Sequence, residues 1–414
     1  MSSTSPRRVW IVADVYYPEE AGAAYFVTRI AEGLSSRFPV HVLCSQPTYS
    51  SLGVRAPLRE THRGVVIKRC KSTTLDKNVF RFKLANHVTI GLSIFFQALL
   101  SFNRHDIVLV VTSPPVLPFL VAIACQMRGA KCVLLLQDVY PEALVAARMF
   151  TQDALPVRIF SWLTKRLYRQ MECITVLGRD MEALVKRKLN GVGSLKSVII
   201  RNWADIDRVF PEDRNQNELL CQQGLTNKFV IQYAGNMGHP HGIEDLLEAA
   251  RRLSVIDENI HFLFIGSGVK KPWLDDMVNK NNFRNVTVIP PRPRSDQQVF
   301  LNACDVAITA FVPGMTGVGV PSRMYNIFAA GKPIIGAVDA ESELGLVVRE
   351  ENLGWIVPPS RPEKIVEAVL EARSDPRRLA EMGRRARTVA ESKYTVNHVI
   401  DAYCALINSF VPNV

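Results

Sequence analysis

The segment Pro313-Gly-Met-Thr-Gly-Val-Gly-Val-Pro-Ser-Arg-Met-Tyr-Asn-Ile-Phe-Ala-Ala-Gly-Lys-Pro333 sets three closely spaced glycines ahead of a serine, an arginine and an asparagine. Gly314, Gly317 and Gly319 let backbone approach a ligand, and a helix is expected from Pro321 to Gly331. Proline suits the first helical position and glycine the position past the end. The N–H groups of Ser322 and Arg323, together with the helix dipole, then face whatever lies in front, and a phosphate is the natural guest. Ser322, Arg323 and Asn326 fall along one side of that helix, with Met324, Ile327 and Phe328 opposite. The same pattern also describes an ordinary loop-to-helix connection with a solvated Arg323.

A second loop of this kind, Ala234-Gly-Asn-Met-Gly-His-Pro-His-Gly242, follows an apolar run and precedes the acidic Glu244 and Asp245. Gly235, Gly238 and Gly242 allow close approach, while His239 and His241 offer contacts to a phosphate or sugar. Histidines on a surface loop with no such role fit equally, and two of them do not make a metal site. In the first half of the chain, Gln137-Asp-Val-Tyr-Pro-Glu142 directly follows a buried strand. That position suits Asp138 and Glu142 as a general base or a hydroxyl-orienting pair; they would also serve a helix as cap and first-turn residue. Gly22 and Ala23, between the first strand and first helix, leave room for a substrate beside the backbone.

Each of these loops needs a strand before it. Apolar runs at 9–13, 40–44, 107–112, 131–137 and 173–177 alternate with helical stretches, and a second series runs through 229–233, 261–265, 286–289, 306–308 and 333–338. Runs such as Val108-Leu-Val-Val111 are apolar on both faces, as in a parallel sheet covered by helices on each side. Two doubly wound α/β domains in tandem, joined near 203–228, account for the pattern. Ligands in such sheets bind outside the carboxyl ends of the strands.

A chain of 414 residues suits two cores better than one. Its eight cysteines form no Cys-x-x-Cys pair and mostly sit in apolar runs, as small hydrophobes do. Only five residues separate Arg8 from Asp14, too few for the apolar core of a signal peptide, so a cytoplasmic protein is expected. Charge is uneven: residues 1–203 carry 27 Lys and Arg against 13 Asp and Glu, a net of +14, whereas the remainder nets −3. The basic residues are dispersed, which argues against nucleic acid. The apolar stretch Val79 to Phe102, with Lys77, Arg81 and Lys83 at its head, reads either as a helix lying on an anionic membrane surface or as a buried helix.

With these segments assembled, the chain resembles the retaining glycosyltransferases of family 4, most of all the bacterial branch that builds surface polysaccharides and O-antigen. The resemblance rests on Tyr17-Pro-Glu-Glu-Ala-Gly-Ala23, Gln137 to Glu142, Thr175-Val-Leu177, Ile200-Arg-Asn-Trp203, Tyr233 to Gly238, Pro321 to Pro333 and Ser342-Glu-Leu344, in that order. It implies the GT-B fold, two Rossmann-like domains facing a central cleft: an acceptor domain over 1–203, a donor domain over 204–394, and a tail, 395–414, that crosses back to the first. The resemblance implies a nucleotide-sugar donor, a UDP-sugar or another, bound by Gly235, Asn236, His241, Ser322, Arg323, Asn326 and Glu343. The acceptor is a lipid-linked glycan at the inner face of the membrane. The resemblance implies no metal and no cofactor beyond the sugar donor, and retention without a protein nucleophile. Two departures stand out. Val318 and Asn326 occupy the places of two glutamates found in many relatives, the second of which binds ribose, and Asn236 and His241 stand where relatives place Arg and Lys. An epimerase acting on UDP-N-acetylglucosamine, or a non-catalytic subunit of an assembly complex, would share the architecture.

Overall fold

Short β-branched and aliphatic runs form the strands because such side chains pack on a pleated surface covered from both sides. In the computed structural model, residues 7–20, 22–47, 55–73, 80–189 and 196–410 are described. The first domain has β1 (Val9–Val12), β2 (Val40–Cys44), β3 (Arg59–His62), β4 (Val65–Arg69), β5 (Ile107–Val111), β6 (Lys131–Leu135), β7 (Cys173–Val176) and β8 (Ser197–Ile199). They form one sheet in the order β3-β4-β2-β1-β5-β6-β7-β8, parallel except for the β3–β4 hairpin. The second domain has β9 (Phe229–Ala234), β10 (Ile260–Ile265), β11 (Val286–Ile289), β12 (Val306–Ala310), β13 (Ile334–Ala337) and β14 (Gly354–Val357). These make a wholly parallel sheet in the order β11-β10-β9-β12-β13-β14.

Strands β3, β4, β8 and β14 are additions to the sequence reading. The hairpin turns at Arg63 and Gly64, both with positive φ (46° and 80°), the conformation that a two-residue turn between twisted strands demands. Its strand Arg59-Glu-Thr-His62 is too polar to stand out from a loop.

Two cores sandwich the first sheet. On one side the Ala23–Ser35 helix packs with the Val396–Asn408 helix from the chain's end, and Ile400 fills the notch over Gly33, where a Cβ would lie 2.5 Å from its Cδ1. On the other side lie the Phe80–Ser101, Leu117–Arg128 and Leu155–Gln170 helices. Val79 lies outside the described residues; the rest of the 79–102 stretch is helix to Ser101. Seven cysteines, Cys221 excepted, are buried among apolar neighbours or in the sheets. No helix among the described residues is long and apolar enough to cross a membrane.

Candidate active site

The expected helix start at Pro321 is corrected: the α-helix runs from Arg323 to Ala329, with Ser322 at its cap and Pro321 in the turn before it. The Met324 N–H donates to the Pro321 carbonyl at 3.0 Å, a tight turn that lets the chain leave the glycine-rich loop directly into the helix. The expected polar face is also narrower than its spacing suggests. Met324, Tyr325, Asn326, Ile327 and Phe328 are all buried, and Asn326 Oδ1 accepts from the Asp205 N–H at 2.8 Å. Asn326 therefore holds the segment entering the second domain, and its amide nitrogen faces Gln297 at 3.4 Å.

Arg323 swings over the loop after β9. Its guanidinium lies against Gly235, where a Cβ would come within 2.8 Å of Cζ, and over the Tyr233 ring at 4.7 Å. Gly235 also has φ 145°, a conformation that favours glycine. The loop after β10 closes in as well: Gly266 has φ 151°, and a Cβ there would sit 2.0 Å from the Gly235 carbonyl oxygen. Asn236 lies in this loop-on-loop packing, its carbonyl accepting from the Tyr233 hydroxyl at 2.5 Å.

His241 joins the two glycine-rich segments. It bridges to Phe311 at the exit of β12, and the Val312 N–H donates to the Pro240 carbonyl at 2.9 Å. Burial and then the Arg323 charge, with Lys270 adding to it, push the imidazole down to about 3, so it is neutral at pH 7. Its Nδ1 faces the Gly238 N–H at 3.1 Å and its Nε2 faces Arg323 Nη2 at 3.3 Å, and a neutral imidazole accepts from only one of these donors. Arg323 Nη1 is buried without a partner. A buried guanidinium N–H without an acceptor, beside glycine-rich loops, is a group that an anion could satisfy.

Across the domain boundary, Asp138 meets the same glycine-rich loop. It bridges to Gly319, the Val139 N–H donates to the Val318 carbonyl at 2.8 Å, and a Cβ at Gly319 would touch Asp138 Oδ1 at 2.9 Å. Its side chain is open to cleft water, yet protein crowds it from both domains, and that burial pushes its carboxyl up to about 6. Glu142 is placed differently: both its oxygens bind Lys188 Nζ, at 2.7 and 2.8 Å, so it secures the Tyr140–Ala146 turn. Gly22 caps the Ala23–Ser35 helix at the carboxyl end of β1, with open space where a Cβ would stand, and Ala23 begins that helix.

Glu343 is not free to touch a ligand. It is 1% exposed, and its Oε2 accepts from the Arg179 backbone and Nε at 2.9 and 3.0 Å while Oε1 accepts from Arg201 Nε at 2.8 Å. Burial alone would raise this carboxyl, but the Arg179 hydrogen bonds and the Arg201 charge outweigh it and hold it below the usual range. Sequence reading missed these arginines and two further interdomain contacts. Asp180 Oδ2 accepts from the Gly317 N–H at 2.9 Å, and Asp205 binds the Tyr25 hydroxyl at 2.5 Å and pairs with Arg294. The partners stand 137, 180 and 89 residues apart, and no local pattern announces them. Among the described residues no group of three or more His, Cys, Asp or Glu is arranged to hold a metal ion.

Two doubly wound, Rossmann-like domains in tandem define the GT-B architecture. Residues 21–203 match the model of the glycosyl transferase 4-like domain and residues 216–389 that of glycosyl transferases group 1, so the chain belongs to the family 4 glycosyltransferases. It is 32% identical over 418 residues to the probable glycosyltransferase WbjE of Pseudomonas aeruginosa, covering 97% of each chain. It is 25% identical over 252 residues to the putative colanic acid biosynthesis glycosyl transferase WcaI of Escherichia coli K12, covering 60% of this chain and 61% of that one. Among solved structures, HepE of Anabaena in complex with UDP superimposes with a TM-score of 0.73 at 14% identity, over 97% of this chain and all of that one.

Proposed function

We propose that this glycosyltransferase moves a sugar from a UDP-sugar to a lipid-linked glycan, with retention of configuration, in the assembly of a bacterial surface polysaccharide. The reading is carried by the buried, unpartnered Nη1 of Arg323, held beside His241 and the Gly235 loop, where it would meet a donor diphosphate. HepE, of like fold, binds UDP, and WcaI is named for colanic acid biosynthesis; both support the choice of donor and pathway class.

In this reading the Arg323 guanidinium and the loop N–H groups take up charge on the leaving diphosphate, with His241 packed beside the arginine and without need of a metal. Asp138 stands across Gly319 and orients or deprotonates the acceptor hydroxyl. Asn326, held by Asp205, contributes to the ribose side only through its amide nitrogen. The protein acts at the cytoplasmic face of the membrane.

A thermal-shift panel of nucleotide-sugars tests the donor. A ligand at a hundredfold its Kd adds about 2.7 kcal/mol, and absence of any shift with UDP and UDP-sugars sinks the reading. Proton NMR of the glycosidic product then reports the anomer: inversion would overturn retention, and conversion of the donor sugar without acceptor would mark an isomerase.

A further inference from the structure

A groove of about 650 Å³ lies between the Glu142–Ala146 helix, the Leu155–Gln170 helix and, from the second domain, Pro313 and Gly314. Small ligands occupy volumes of this size. Arg158, Trp162 and Lys165 line it from one face of the longer helix, as their four- and three-residue spacing requires. Arg148 lines it from just past the end of the shorter one.

Charge in the groove is one-sided. Arg148 and Arg158 are exposed, Lys165 is half-buried, and among the described residues no hydrogen bond or ion pair engages these three side chains. The one carboxylate in the lining, Glu142, is held through both oxygens by Lys188 Nζ. Burial lowers the Lys188 ammonium against the pull of Glu142, and the Lys165 charge adds to the lowering, which marks a second cation close by. Arg148 also holds φ 57°, in the turn that closes the shorter helix, where glycine is the usual residue. An arginine kept in that conformation argues for a use of its side chain.

The groove borders the candidate catalytic carboxylate. Ala146, in its lining, packs with Met315 and Val318, and the next residue, Gly319, bridges to Asp138. A ligand in the groove therefore reaches toward the group assigned to the acceptor hydroxyl. Guanidinium forks pair with phosphoryl oxygens, an ammonium adds a point charge, and an indole face such as that of Trp162 covers the C–H face of a sugar ring. Cations and indole together suit a glycosyl diphosphate. Arg323 and Gly235, the partners of the donor, are not in this lining.

We propose that this groove holds the diphosphate that joins the acceptor's glycan to its lipid, with Arg148, Arg158 and Lys165 as its partners. The proposal rests on the acceptor reading above and defines a second anion site, apart from that of the donor.

Isothermal titration of the full chain with farnesyl diphosphate, with and without saturating UDP, tests it. Wild type binds in both conditions, and farnesyl monophosphate binds about tenfold more weakly. The variant R148Q/R158Q/K165Q loses diphosphate affinity about 10- to 100-fold while its melting curve and UDP affinity are kept. Arg158→Glu, a single change at an exposed position, lowers the affinity about tenfold and serves if the triple variant is unstable. No binding by wild type, or equal binding by wild type and variants, overturns the proposal. So does displacement of farnesyl diphosphate by UDP, which would put it in the donor site. Dihexanoyl phosphatidylglycerol binding as tightly as the diphosphate also overturns it, by assigning the groove to a phospholipid headgroup. Failure of UDP to bind, with the diphosphate bound as expected, sinks the donor reading and leaves the groove standing.

Discussion

Arg323 concentrates the donor-side argument in one side chain. Its type and place at a helix start suggest an anion partner, and the structure adds an unpaired Nη1 and a facing His241. Arg323→Ala should weaken UDP binding about 10- to 100-fold, the worth of charge-assisted hydrogen bonds, as read by isothermal titration. An unchanged Kd removes the arginine from the site. Asp138 makes a separate prediction because crowding lifts its carboxyl to about 6. If the carboxylate is the working form, kcat/KM falls as pH drops through about 6. Asp138→Asn abolishes that acid limb and lowers the rate about 10²- to 10⁴-fold with UDP affinity unchanged. A retained limb in the variant assigns it to another group. Glu142 and Glu343 show how little residue type alone decides: each is a carboxylate in a suggestive motif, and each is occupied by Lys188 or by two arginines.

Elements were legible wherever one strong local rule held. Buried strands such as β2 and β5 carry apolar runs whose limits are plain in the sequence, whereas β3 and β8 draw their order from the partner strand, and polar or short strands carry no such mark. The loop after β10 was invisible for a related reason. Gly266 reads as a common turn glycine until the Gly235 carbonyl is seen 2.0 Å from where its Cβ would be. Gly266→Ala should therefore cost about 2–4 kcal/mol by denaturant melts, through backbone strain and displacement of the β9 loop, and weaken UDP binding with it. A melt and a Kd like those of wild type would show the two loops to be independent.

At the scale of the molecule, the Glu343 cluster ties Arg179 and Arg201 of the first domain to the second. Glu343→Gln leaves two arginines facing a neutral amide, a loss of about 3 kcal/mol for a broken buried pair, and should appear as a larger radius of gyration in X-ray scattering. Because the folded carboxyl is held below its ordinary value, its contribution is complete above that value and is lost as pH falls through the folded one. Acid should thus open the wild type toward the variant's dimensions, and identical scattering from both at neutral pH would refute the latch. The sequence by itself determined two doubly wound sheets, the strand-end loops and the family, since periodicity, glycines and motif order are local properties of the chain. Only the tertiary structure decided which polar residues are spent on holding the domains together and which remain to meet a ligand. That choice depends on partners more than a hundred residues away, as at Asp180 with Gly317 and Arg179 with Glu343, and on crowding from both domains at Asp138.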